Sequence, residues 1–64
     1  MKAEDKVWYV DKLGAKHRAI VLCAFEDDTI NLVAWADGGA HVAYAERVTR
    51  DPDGAVNTWS ERAE

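Results

Sequence analysis

Turn signals recur along the whole chain, and they constrain its fold more than any other feature. Asp11-Lys12-Leu13-Gly14, Glu26-Asp27-Asp28, Ala36-Asp37-Gly38-Gly39 and Asp51-Pro52-Asp53-Gly54 are each built from residues that favour chain reversal. The adjacent glycines at 38 and 39 allow positive φ at both positions, and Pro52 sits where a type I turn takes proline. Between these turns lie short segments of β-type periodicity. Val7-Trp8-Tyr9-Val10 is a β-branched and aromatic run. His17 to Glu26 is apolar on both faces, with Ala19, Val21, Cys23 and Phe25 on one and Ile20, Leu22 and Ala24 on the other. A buried helix is the rival reading of that run. The acidic turn and the alternating Thr29 to Trp35 that follows at once favour a hairpin, with Ile30, Leu32 and Ala34 as its core face.

Ala40 to Tyr44 alternates again, with Val42 and Tyr44 on one side, and Val56 to Ser60 is placed to close a sheet. Ala45 to Arg50 reads either as a short strand or as one helical turn, and Glu61 to Glu64 as a frayed end. Five short strands in a single 64-residue domain predict a small antiparallel barrel. The OB type takes more residues and a helix, so the expectation is an all-β, five-stranded, SH3-like barrel.

Such a barrel needs burial, and this chain has little to spare. Of its hydrophobic residues, 48% of the sequence, eleven are alanine, which leaves twenty sizeable apolar side chains. Domains of this size often rely on a staple. Here Cys23 is the only cysteine, so no intrachain disulfide forms, and with His17 and His41 it falls short of a structural zinc set. A tight core or association with other subunits is what remains. Met1 to Lys6 is charged with no apolar stretch of signal type behind it, and the longest apolar run, Ala19 to Phe25, is too short to span a membrane. A soluble protein of a reducing compartment, or of a particle assembled there, is expected. The net charge of −4 disfavours generic nucleic-acid binding, although Lys12, Lys16 and Arg18 form a local basic group.

Val7 and Tyr9 (V-x-Y), Arg18 to Val21 (R-A-I-V), Asp28 to Val33 (D-T-I-N-L-V) and Thr58-Trp59 (T-W) occur in that order. In this they resemble a group of short, mostly uncharacterised proteins encoded by bacteriophages of actinobacteria and by their hosts. The pattern of that group reads V-x-Y…R-A-A-I-V-T-E-V…T-V-x-L-A-V…G-T-W. The resemblance spans residues 6–60 and lies in packing motifs. Leu22-Cys23 departs from a polar pair, and Asn57 stands where the group has glycine. The resemblance implies a small β-barrel in a phage setting and implies no activity.

No constellation in the chain points to catalysis. Cys23 reads as a small buried strand residue, and His17 and His41 as surface or edge histidines without a nucleophile nearby in sequence. Asp51-x-Asp53-Gly54 echoes the start of a calcium loop but contains Pro52 and lacks the distal glutamate, so turn chemistry is expected there. No enzyme activity, cofactor or metal is expected. Three tryptophans are more than so small an interior can hold. Trp8, Val33, Trp35, Tyr44 and Trp59 are the candidate protein-contact residues. The expected function is that of a virion accessory protein, in capsid decoration, as a minor capsid component or at the head–tail region. It would bind other subunits, the major capsid protein first, with self-association as a further possibility. The alternatives are a phage regulator that binds a host protein and, less favoured, a nucleic-acid-binding barrel that stacks bases on Trp8, Tyr9 and Trp35.

Overall fold

The computed structural model describes residues 1–35 and 42–62, without the side chain of Val42. The Gly38-Gly39 turn, Ala40, His41 and the last two residues lie outside this description. The strands are β1 (Lys6–Val10), β2 (Lys16–Ala24), β3 (Ile30–Trp35), β4 (Val42–Arg50) and β5 (Thr58–Glu61). They pair in chain order and close into a barrel. The five-stranded barrel is therefore as the sequence predicts. Ala45 to Arg50 continues β4 as strand and makes no helical turn.

Antiparallel pairing throughout is not what the barrel adopts. β5 runs antiparallel to β1 but parallel to β4, through Thr49↔Thr58 and Arg50↔Trp59. Parity requires one such pair, because an odd number of strands cannot alternate in direction around a closed ring. The parallel seam is the shortest ladder in the barrel, at two residue pairs.

The core consists of Val7, Ala19, Val21, Ile30, Leu32, Ala34, Val48 and Trp59. In β3 the even positions point inward without interruption, as their alternation requires. In β2 the alternation breaks. The pairing with β3 slips between Val21 and Cys23, so Leu22 and Cys23 are both exposed and Ala24 packs against the core instead. This bulge corrects the expectation of a buried Cys23. Trp59 is also corrected: it is 2% exposed, lies in the core and donates from Nε1 to the Asp28 carbonyl at 2.9 Å. A large indole with its polar atom satisfied fills an interior whose other members are small or mid-sized.

The turns follow their chemistry. Gly14 and Gly54 have φ of +87° and +80°. Asp51 Oδ1 accepts from the Asp53 amide at 2.8 Å, and Asp27 Oδ1 accepts from the amide and hydroxyl of Thr29 at 3.2 and 2.6 Å. A second slip, between Ile30 and Leu32 on the β3–β4 ladder, places Arg47 in the left-handed region at φ +53°.

Candidate functional site

Four of the five predicted contact residues come together on the outside of the sheet. Cross-strand register decides which side chains share a row. Trp8 pairs with Arg18, and Arg18 with Trp35. In the next row Lys6 pairs with Ile20, Ile20 with Val33, and Val33 with Tyr44. The neighbours of these residues along each strand, Val7, Ala19, Val21, Leu32 and Ala34, are the ones that point into the core. An apolar sheet therefore faces outward across β1 to β4. Trp8, Ile20, Val33 and Trp35 are half-buried there, while Tyr44 is 58% and Leu22 46% exposed. Trp59, the fifth candidate, faces the interior and takes no part in this surface.

Charge is unevenly spread over the face. Lys16 Nζ lies 4.7 Å and the Arg62 guanidinium 5.4 Å from the centre of the Trp8 ring. Arg18, Ile20, Trp35 and Arg62 line a shallow groove of about 290 Å³. On the far side the Tyr44 hydroxyl donates to Glu46 Oε2 at 3.2 Å, which fixes the carboxylate on the same surface. Burial and the neighbouring Glu46 carboxylate both push the Tyr44 hydroxyl above its ordinary pKa, so it stays protonated and able to donate at neutral pH.

A second concavity opens at the end of the barrel that carries the β1–β2 loop. It has a volume of about 310 Å³ and is lined by residues that include Tyr9, Leu13, His17, Ala34, Trp35 and Ala43. The small side chains of Ala34 and Ala43, which are register partners, leave room there. Beside it Asp11 holds the loop together. Its Oδ1 accepts from the Leu13 and Ala15 amides at 2.9 Å each, and its Oδ2 lies 2.7 Å from His17 Nε2. The His17 bond is the main cause of a lowered Asp11 pKa, with the backbone bonds adding to it. Burial, followed by the Asp11 charge, raises the Tyr9 phenol. Leu13 stands at the rim, 86% exposed.

The Asp11–His17 pair is the arrangement that reading along the chain passes over, because the partners are six residues apart across a turn. Once the hairpin is drawn, Tyr9 falls opposite His17, and Asp11 lies two residues beyond Tyr9 on the same side. Nε2 is tied to Asp11, and Nδ1 is buried without a hydrogen-bond partner. The role of the pair is to set the loop. Cys23 is on the outside, displaced there by the bulge. Among the described residues no group of three His, Cys, Asp or Glu is placed to hold a metal ion. Among the described residues no helix is long and apolar enough to cross a membrane.

Comparison with protein-family models, with curated proteins and with solved structures found no match to this chain.

Proposed function

We propose that this protein is a non-enzymatic interaction module that contacts other protein subunits through the outer face of β1 to β4. One observation carries the reading: Trp8, Val33, Trp35 and Tyr44, with Ile20 between them, lie in adjacent registered rows on one exposed surface. Aromatic and branched apolar side chains concentrated in one patch are the composition of a protein-contact core. The covered ring of Trp8 favours a protein partner over nucleic acid, since a base would have to displace Lys16 and Arg62 in order to stack.

The resemblance to actinobacteriophage proteins gives the reading its concrete setting. In that setting the chain is a virion accessory protein, and its partners are other subunits of the particle, the major capsid protein first. Two measurements test this. Mass spectrometry of purified virions should find the chain in many copies, and its absence there overturns the virion setting in favour of a regulator that acts outside the particle. Particles assembled with the Val33→Glu variant should retain at most about a tenth of the wild-type amount, since a charge driven into an apolar contact costs more than 1.4 kcal/mol. Retention equal to wild type overturns the face as the contact surface.

A further inference from the structure

We propose that the free edge of β4 is a strand-addition site, which takes an extended segment of a partner protein with a large apolar side chain at its centre. The site lies on the edge and the inner side of the sheet and is independent of the outer face. β4 pairs with β3 from Val42 to Val48, but β5 reaches it only at Thr49 and Arg50. From Val42 to Glu46 its other edge has no strand partner among the described residues. Alternation decides which groups are left open there. The Phe25 amide donates to the Thr29 carbonyl, so Thr29, and with it Asn31 and Val33, turn their backbone groups to β2. Leu32 and Ala34 turn theirs to β4, where they meet Ala45 and Ala43. The N–H and C=O groups of Val42, Tyr44 and Glu46 therefore point away from β3, along the free edge. A row of alternating backbone donors and acceptors is matched by another extended backbone. β4 carries neither the proline nor the lysine that commonly blocks such an edge.

The inner side shows what the segment must carry. Ala43 is the register partner of Ala34, which is 1% exposed, so both lie on the core side of the sheet. Ala43 is nevertheless exposed. Where a neighbouring strand would stand lies the concavity of about 310 Å³ that Ala43 shares with Tyr9, Trp35 and Asn57. A strand added to the edge sends every second side chain to this side, and the concavity has room for one leucine or one aromatic ring. β4 of a second copy is a poor occupant, because its own inward residues in this stretch are Ala43 and Ala45 and would leave the space empty.

The probe is a fluorescein-labelled peptide, Lys-Thr-Val-Thr-Phe-Thr-Val-Thr-Lys, used with two controls. One has alanine in place of phenylalanine, and the other is N-methylated at the central Thr-Phe-Thr. The full chain should bind the probe with a Kd below about 1 mM, and amide exchange at Tyr44 and Glu46 should slow on binding. The alanine control should bind at least about tenfold more weakly, and the N-methylated one should not bind. Ala43→Phe, which fills the concavity from within, should weaken binding by at least about tenfold. Val33→Glu, on the other side of the sheet, should leave it within about twofold. If Ala43→Phe does not fold, the two peptide controls decide alone. Absence of binding up to about 1 mM, or binding that survives N-methylation, overturns the proposal. Loss of binding in a folded Val33→Glu moves the peptide to the outer face and also overturns it. Protection of the same amides that rises with the concentration of the chain alone overturns it in favour of a second copy.

Discussion

Glu4, Asp28, Arg47 and Asn57 hold positive φ without being glycine, and two of them show how single residues set this barrel. Arg47 turns the chain at the β3–β4 slip. Its amide donates to Asn31 Oδ1 at 3.0 Å, and its guanidinium stacks 3.6 Å from the centre of the Phe25 ring. These contacts offset a backbone conformation that costs an ordinary residue about 1–2 kcal/mol. Asn57, at φ +59°, leads into the strand that carries Trp59. Asparagine tolerates this region, glycine is at ease in it, and a β-branched residue is not. Asn57→Gly should therefore leave stability within about 1 kcal/mol of wild type, while Asn57→Val should cost about 1–2 kcal/mol. Urea denaturation of the two variants checks this, and equal midpoints would show that the left-handed turn is not required.

At the scale of elements, the β1–β2 hairpin is organised by Asp11 and the sheet ends by two further carboxylates. The hydrogen bond from His17 lowers Asp11, those from Thr29 lower Asp27, and that from Arg50 lowers Glu61. A carboxyl group with a lowered folded-state pKa contributes stability that is fully present above its unfolded value, near pH 4, and that is lost as pH falls toward the folded value. Stability should thus be insensitive to these groups from pH 7 to about pH 5 and should fall below about pH 4. Asp11→Asn should flatten the acid limb of a melting-temperature profile. An unchanged limb would mean that the loop clamp contributes nothing to folding.

The elements also show what was legible beforehand. Turn residues and alternation mark all five strands, and in β3 they mark the core face residue by residue. Three things are not written locally. The Leu22 bulge depends on the register against β3, and without it Cys23 reads as buried. The fate of Trp59 depends on which strand receives β5, and only ring closure brings the Asp28 carbonyl to its indole. The Asp11–His17 pair depends on the hairpin being drawn before residues are compared. The outer face was half legible: alternation placed Trp8 and Trp35 opposite Tyr9 and Leu32, but only the closed barrel decides which side faces outward.

For the whole molecule, the balance between interior and exterior governs stability. Among the described residues the packed core cluster has eight members, two of them alanine, while larger apolar side chains such as Trp8, Ile20, Leu22, Val33, Trp35 and Tyr44 are only partly covered. A chain of 64 residues has about 3–10 kcal/mol of net stability to draw on. A core this small, closed by a two-pair seam between β4 and β5, belongs at the low end of that range. Association on the outer face adds stability by mass action, since a partner draws on folded chains alone. The isolated wild type should therefore melt no higher than the usual mesophile range, about 45–65 °C, which differential scanning calorimetry checks. A wild type that melts above about 80 °C independently of concentration would show that the small core suffices by itself, because that lies well beyond the usual mesophile range. The partly covered aromatics would then have no role in stability.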